Sequence, residues 1–246
     1  MMDYTPAPDL LKNRVILITG AGDGIGRASA RTFAQHGATV ILLGRTTRKL
    51  EAVYDEIEQA GYPQPAIYPM NLEGASPKDY EDLVTTLDRE FGRLDGLLHN
   101  AGLLGALAPI ENADINLWYK VIQVNLNAPF LLTRACLGLL KKSTDASIVF
   151  TSSSVGRKGR AYWGAYSASK FAVEGLMQTL ADELAANTAI RVNSINPGAT
   201  RTAMRAAAFP AEDPNTLKTA EEIMSVYLYL MGADSLGVTG QALNAQ

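Results

Sequence analysis

A tyrosine and a lysine four positions apart, Tyr166 and Lys170, are the residues whose types and spacing most clearly suggest chemistry. If residues 164–187 form a helix, both side chains lie on one face about one turn apart. A phenol beside an ammonium can exchange protons near neutral pH, because the cation favours the phenolate and lowers a pKa that is ordinarily about 10. Ser153 stands thirteen positions before Tyr166, at the end of an apolar run that is typical of a buried strand.

The pair needs a structural context before it can be given a function. With ten Tyr and nine Lys in 246 residues, this spacing can arise by chance, and on its own it more often marks an ordinary exposed helix face. Whether the pair has a catalytic function therefore depends on the strands, helices and loops that would position it.

The composition is that of a globular protein, with 47% hydrophobic and 19% charged residues. A net charge of −3 gives no electrostatic reason to expect nucleic acid as a partner. The single cysteine, Cys136, excludes an internal disulfide, and with only two histidines we expect no metal site. The first residues lack the order of a signal peptide, and no apolar run is long enough to span a bilayer, so we expect a cytoplasmic protein that does not bind membranes.

A glycine-rich loop follows the first apolar run. Residues 14–19 read as a strand covered on both faces, residues 27–36 as a helix, and between them lies the pattern T-G-x-x-x-G-x-G, with glycines at Gly20, Gly24 and Gly26. Glycines let a ligand approach the backbone closely, and the helix N-terminus favours a pyrophosphate. This order of strand, loop and helix predicts a dinucleotide site, although a loop so rich in glycine could also be only a tight turn.

Arg45 stands after the second strand, where NAD-binding proteins often have an acidic residue for the ribose 2′-hydroxyl. A guanidinium can bind a 2′-phosphate through two hydrogen bonds, whereas a carboxylate would repel it. The sequence thus favours NADP(H) over NAD(H), unless Arg45 is simply a solvated surface residue.

Strand and helix patterns alternate along the whole chain with no linker or repeat. We predict one domain, residues 1–246, with a doubly wound parallel sheet (Rossmann fold) of about seven strands, helices on both faces and an N-terminal arm at 1–13. The predicted strands are 14–19, 38–43, 64–70, 94–99, 146–150, 190–195 and 238–243. The predicted helices are 27–36, 46–59, 77–91, 113–140 with interruptions near Asn125 and Pro129, 164–187 and 220–231.

The chain resembles the short-chain dehydrogenase/reductase family over nearly its whole length. The resemblance rests on the glycine motif, Asn100-Ala101-Gly102, Asn125, Ser153, Tyr166-x-x-x-Lys170 and Pro197-Gly198, in that order. The stretches LLHNAGLLG, FTSSSVGR, WGAYSASKF and NPGATRTAMR are similar to those of the YciK-type bacterial oxidoreductases, a subgroup of the family.

The resemblance implies a role for each motif residue. Tyr166 would be the general acid or base, Ser153 would hold the carbonyl oxygen, and Lys170 would lower the tyrosine pKa and bind the nicotinamide ribose. Asn125 would hold a water that relays protons to Lys170, Thr202 would lie at the carboxamide, and residues 200–213 would form a loop over cofactor and substrate. The candidate cofactor-binding residues are Gly20, Asp23, Gly24, Ile25, Gly26, Arg45, Asn71, Leu72, Asn100, Ala101, Gly102, Tyr166, Lys170, Pro197, Gly198, Thr200 and Thr202, with no metal ligand.

Two positions depart from the family pattern. Asn71 stands where an acidic residue commonly contacts adenine, and the usual Asp-Gly-Gly after the last strand is missing. The resemblance also implies a homodimer or homotetramer, joined through the helices at 113–140 and 164–187.

The expected activity is NADP(H)-dependent hydride transfer between a nicotinamide and a carbonyl or secondary alcohol. A non-catalytic NADP(H)-binding sensor or scaffold is the main alternative. Epimerases or dehydratases of the extended type have longer chains, and methyltransferases have no need of the Tyr/Lys pair. The substrate pocket could be lined by Leu103, Leu104, Tyr162, Trp163, Met204 and Phe209, with Arg157, Arg160 or Arg205 for an anionic group.

Overall fold

The computed structural model describes residues 4–246, so the first three residues of the expected N-terminal arm lie outside it. Seven parallel strands form one sheet in the order β3-β2-β1-β4-β5-β6-β7. The strands are β1 (Val15–Thr19), β2 (Thr39–Gly44), β3 (Ala66–Pro69), β4 (Gly96–His99), β5 (Ser147–Thr151), β6 (Arg191–Asn196) and β7 (Ala242–Asn244).

Within residues 4–246, eight α-helices connect the strands. They are α1 (Gly24–Gln35), α2 (Thr47–Gln59), α3 (Pro77–Phe91), α4 (Ile115–Ile122), α5 (Ala128–Leu140), α6 (Gly164–Ala185), α7 (Ala203–Ala208) and α8 (Met224–Met231). The predicted doubly wound parallel sheet of about seven strands is confirmed.

The sheet is covered on both faces, as continuous aliphatic strands require. On one face α1, α2 and α8 pack through side chains such as Phe33, Val53 and Tyr227. On the other face α3, α5 and α6 pack through side chains such as Leu83 and Met177. The strand residues alternate between these two cores because successive side chains point to opposite faces of a sheet.

Most predicted element bounds shift by only a few residues. Helix α1 begins at Gly24 rather than at residue 27, because the Asp23 carboxylate caps it by accepting the Gly24 N–H at 2.8 Å. Only the second part of the predicted helix 220–231 is α-helical, since Glu221–Ile223 forms a 3-10 turn. The predicted loop at 200–213 contains helix α7, which begins with a Thr202 side-chain cap.

The predicted interruption of the 113–140 helix is a π-helical turn at Gln123–Asn127. Pro129 lies in the first turn of α5 and has no N–H to donate to the preceding turn, which is a known cause of such irregularities. The wider turn directs the Asn125 side chain into the protein, where it is 1% exposed.

The strand order reverses between β1 and β4, which pair directly with one another and carry helices to opposite sides. In open parallel sheets of this kind, a ligand binds beyond the carboxyl ends of the strands at the reversal. The glycine loop follows β1 and Asn100 follows β4 at this point.

Candidate active site

A cleft of about 530 Å³ lies along the carboxyl ends of the strands. It runs from the β2 end, with Arg45 and Asn71, across the glycine loop to Ser153 and Tyr166 at the β5 end. Every predicted site residue except Gly26 and Asn125 lines it: Gly20, Asp23, Gly24, Ile25, Arg45, Asn71, Leu72, Asn100, Ala101, Gly102, Ser153, Tyr166, Lys170, Pro197, Gly198, Thr200 and Thr202.

Gly26 lies beneath the glycine loop and allows it to fold tightly. A Cβ at this position would lie 2.1 Å from the Gly20 carbonyl oxygen and 2.6 Å from Asn100 Nδ2. Gly20 itself has a φ of +67°, which residues with a side chain rarely adopt. These two glycines make the floor of a cradle in which a phosphate can approach backbone N–H groups.

Thr19, the last residue of β1, fixes the neighbouring loop after β4. Its Oγ1 accepts hydrogen bonds from the backbone N–H groups of Asn100 and Ala101, both at 3.0 Å. The Asn100 side chain donates back to the Thr19 carbonyl at 3.3 Å. These hydrogen bonds hold the loops after β1 and β4 together at the point where the strand order reverses.

The cofactor end of the cleft contains an ion pair that the sequence did not reveal. Lys49 Nζ lies 2.5 Å from the Asp23 carboxylate, and this hydrogen bond is the main cause that lowers the pKa of Asp23. The pair ties α2 to the glycine loop and compensates the charge of a carboxylate beside the expected phosphate path. Lys49 lies in the first turn of α2, and no spacing in the sequence links it to Asp23.

Arg45 is exposed, lines the cleft and makes no ion pair or hydrogen bond with any residue in the range 4–246. It precedes α2, whose Thr46 cap residue makes no side-chain hydrogen bond to the helix. A helix N-terminus carries partial positive charge from its unpaired N–H groups. The guanidinium and the start of α2 together suit a phosphate group at this end.

The other end of the cleft brings Ser153, Tyr166 and Lys170 together. Tyr166 is half-buried, and burial raises the pKa of its phenol to about 12, with the hydrogen bond to Ser153 acting in the opposite direction. The Lys170 ammonium lies 5.5 Å from the tyrosine ring centroid. The Lys170 Nζ donates to the Thr151 carbonyl at 2.7 Å.

Lys170 is itself strongly affected by burial. Its side chain is 4% exposed, and desolvation lowers its pKa to about 8, while the charge of Glu174 acts in the opposite direction. Glu174 lies one turn further along α6, where it accepts hydrogen bonds from Ser194 at 2.6 Å and Arg157 at 3.3 Å. A lysine with a pKa of about 8 can gain and lose a proton at pH values close to neutral.

Asn125 stands behind the cleft rather than in its wall. Its Oδ1 accepts the Leu103 N–H at 2.7 Å, and its Nδ2 donates to the Leu103 carbonyl and to Ser169 Oγ, both at 3.0 Å. Ser169 in turn donates to the Tyr166 carbonyl at 2.7 Å. The Asn125 side chain therefore braces the loop after β4 against the helix that carries the tyrosine.

The pocket beside Tyr166 is largely apolar, as expected from the sequence. Leu103, Leu104, Trp163, Met204 and Phe209 line it, whereas Tyr162 does not and is 61% exposed. The Trp163 and Phe209 rings lie 5.8 Å apart, at the ends of two different loops.

Each of the three arginines considered for an anionic group has other contacts. Arg205 pairs with both oxygens of Glu212 at 2.6 Å, and its guanidinium lies 3.8 Å from the Phe209 ring centroid. Arg157 contacts Glu174 and the β7 end, and Arg160 lies over the Trp163 and Phe209 rings without lining the pocket. These three arginines therefore bring no uncompensated positive charge to the pocket walls.

Other residues lining the cleft were not predicted. They are Gly22, Gly44, Thr46, Lys49, Leu50, Met70, Glu73, Val124, Thr151, Ser152, Ala203 and Ala208. Most sit beside predicted positions in loops, where sequence patterns do not fix the direction of a side chain. Within residues 4–246 no group of three or more His, Cys, Asp and Glu side chains could hold a metal ion, and no helix is long and apolar enough to cross a membrane.

Comparisons with known proteins agree with this architecture. The uncharacterized oxidoreductase YciK of Escherichia coli K12 is 54% identical over 245 residues, covering 100% of this chain and 96% of the relative. A structure of a short chain dehydrogenase from Pseudomonas syringae is 61% identical, covers 100% of both chains and superposes with a TM-score of 0.99.

Two similar structures contain a nucleotide. One, from Shigella flexneri 2a, is complexed with NADP and is 53% identical, with a TM-score of 0.95 over 98% of this chain and 100% of its own. The other, from Escherichia coli CFT073, is complexed with NADPH and is 55% identical, with the same TM-score and coverage. A family model described as short chain dehydrogenase matches residues 14–213. The chain therefore belongs to the short-chain dehydrogenase family of oxidoreductases.

Proposed function

We propose that this chain transfers a hydride between NADP(H) and a carbonyl compound or the corresponding secondary alcohol, with Tyr166 as general acid or base. The observation that carries the proposal is a single cleft with Arg45 at one end and Ser153, Tyr166 and Lys170 at the other. The first end suits a phosphate, and the second suits the proton transfer that accompanies hydride transfer.

The residues along the cleft fit an NADP(H) molecule. The cradle over Gly20 and Gly26 and the N-terminus of α1 would hold the pyrophosphate. The backbone segments approach so closely there that a Cβ would not fit, and with glycine at these positions a phosphate can reach the backbone N–H groups. Arg45 would bind the 2′-phosphate, and its lack of a partner among residues 4–246 leaves its guanidinium available. The NADP and NADPH in two similar structures support this choice of cofactor.

Bound nicotinamide would supply or accept the hydride. In the reducing direction, the hydride is added to the carbonyl carbon while the Tyr166 phenol donates its proton to the carbonyl oxygen, giving an alcohol. Ser153 would donate a hydrogen bond to the same oxygen, and the Lys170 ammonium would stabilise the phenolate that forms. Burial favours the protonated phenol before the reaction, so Tyr166 has a proton to give.

The first experiment is paired titration of NADPH and NADH against the purified protein, followed by NADPH oxidation with a panel of apolar ketones, aldehydes and quinones. We expect tighter binding of NADPH and turnover of at least one carbonyl compound. Binding of neither nucleotide would contradict the proposal. NADPH binding with no turnover across the panel would favour the alternative of a non-catalytic sensor or scaffold.

We also propose that residues 1–246 fold as one domain and assemble as a homodimer or homotetramer through α4, α5 and α6. These helices expose large apolar side chains, namely Ile115, Trp118, Tyr119, Phe130 and Phe171. Such a group of exposed apolar residues is common where proteins associate. Light scattering should show an oligomer that Phe171→Glu weakens, and a monomeric wild type would contradict this assembly.

A further inference from the structure

Gln246 lies two residues after β7 and contacts the loop that follows β6. Its side-chain amide nitrogen donates to the Pro197 carbonyl at 2.8 Å and lies 3.2 Å from the Ala199 carbonyl and 3.3 Å from Thr200 Oγ1. One amide group thus reaches three oxygen atoms in a span of four residues. Neither the glycine loop nor any motif in the sequence points to this residue.

The contact is a close steric fit as well as a set of hydrogen bonds. Gly198 has a φ of +74°, and a Cβ there would lie 2.9 Å from Gln246 Nε2 and 3.1 Å from its Cδ and Cγ. The preceding residue, Ala245, is buried, and its N–H donates to the Asn196 carbonyl at 3.0 Å. This bond extends the β6–β7 pairing and fixes where the Gln246 side chain begins.

The loop that Gln246 contacts forms one wall of the cleft. Pro197, Gly198, Thr200 and Thr202 all line it. Thr202 also caps α7 by accepting the Arg205 N–H at 3.1 Å, and its hydroxyl donates to the Thr200 carbonyl at 3.4 Å. The position of this wall therefore depends on a short chain of contacts that begins at Gln246.

We infer that Gln246 is a positioning residue for the nicotinamide end of the cofactor site. Its amide holds the 197–200 backbone in the conformation that presents Thr200 and Thr202 to the cleft. This inference rests on the proposed function, because it assumes that the nicotinamide half of NADP(H) binds beside this loop. The adenosine half binds at the opposite end, near Arg45, and should not depend on Gln246.

The test compares NADPH with adenosine 2′,5′-bisphosphate, which lacks the nicotinamide half, by titration of the full chain. Gln246→Met keeps the length of the side chain but removes the amide donor, and Gln246→Ala removes both. We expect each variant to bind NADPH about tenfold more weakly and the bisphosphate with unchanged affinity. Gln241→Ala is the matched control, since that side chain is exposed and donates only to the nearby Thr239 carbonyl among residues 4–246.

A second readout is amide hydrogen exchange of residues 197–202 in the protein without nucleotide, which we expect to be faster in both Gln246 variants than in Gln241→Ala. A merely structural role would weaken the binding of both ligands equally, and that result would overturn the inference. Wild-type affinity for NADPH in Gln246→Met would overturn it as well. Failure of the wild type to bind NADPH would instead reject the proposed function on which the inference rests.

Discussion

The ammonium of Lys170 donates a hydrogen bond of 2.7 Å to the carbonyl of Thr151, the last residue of β5. This contact fastens the middle of the active-site wall, because it joins the helix that carries Tyr166 to the carboxyl end of a central strand. It also buries a cation with a backbone oxygen as its closest partner. The cost of that burial is what lowers the pKa of Lys170 to about 8.

Stability without nucleotide should therefore rise with pH in the range set by Lys170. The folded-state pKa is about 8, whereas an unfolded lysine has a pKa of about 10.4, so between these values the unfolded chain binds more protons. We expect the free energy of unfolding of the wild type, relative to Lys170→Met, to rise by about 2 kcal/mol between pH 8 and pH 10. Urea denaturation at several pH values measures it.

The difference between these two proteins should be flat below about pH 7, where lysine is protonated in both the folded and unfolded chain. Lys170→Met is suited to the comparison because it retains an unbranched side chain of similar length. A difference that is constant from about pH 6 to about pH 10 would show that burial does not perturb this lysine.

Replacing Tyr166 by Phe should remove the proton donor while leaving the cleft intact. General acid–base groups contribute about 10²- to 10⁴-fold to the rate, so we expect a loss of kcat in this range and a much smaller change in NADPH affinity, because the aromatic ring is retained. Tyr162→Phe is the control, since Tyr162 is exposed and lies outside the cleft. Equal activities of the two variants, measured by NADPH oxidation, would exclude Tyr166 as the acid.

Arg45→Ala should reduce the preference for NADPH over NADH. Hydrogen bonds to a charged group contribute about 1.5–3 kcal/mol, so we expect NADPH binding to weaken about 10- to 100-fold and NADH binding to change little. Arg48→Ala removes an exposed arginine three positions away that does not line the cleft, and it should leave both affinities unchanged. Nucleotide fluorescence titration measures the NADPH and NADH affinities of the wild type and of both variants. If Arg45→Ala still prefers NADPH over NADH, then residues other than Arg45 bind the 2′-phosphate.

Gly26→Ala should damage both the fold and the nucleotide site. The added methyl group would lie 2.1 Å from the Gly20 carbonyl, so the glycine loop must move, at a cost of about 1–3 kcal/mol. NADPH binding should be lost in the same variant. Gly74→Ala is a matched control because, apart from Gly74 and its two chain neighbours, no atom of residues 4–246 would lie within 4 Å of the methyl group, and its urea midpoint should equal that of wild type. Equal stability of the two variants would contradict the close packing of the loop.

The sequence predicted the sheet and most of the cleft for a physical reason. Parallel strands are continuous apolar runs, and their carboxyl ends meet at one edge, so residues that follow each strand are brought together by topology alone. Arg45, Asn100, Ser153 and Pro197 are of this kind. These residues could be placed at the site without predicting how the loops fold.

The remaining features depend on side-chain geometry, which a pattern of residue types does not contain. The Lys49–Asp23 pair and the Gln246 contact join residues from separate elements, so no local spacing marks them. The nearness of Lys170 in sequence predicts that the pKa of Tyr166 falls. Burial instead raises it, because the desolvation of the phenol outweighs the opposing hydrogen bond with Ser153.

The π-helical turn at Gln123–Asn127 makes the length of this helix as important as its residue types. A wide turn holds one more residue than a regular α-helical turn, so removing a single residue there would restore regular winding and abolish the wide turn that directs Asn125 inward. Asn125 would then no longer meet Leu103 and Ser169, although every side chain in the site would still be present. In this segment, single-residue deletions should be tolerated less well than most substitutions.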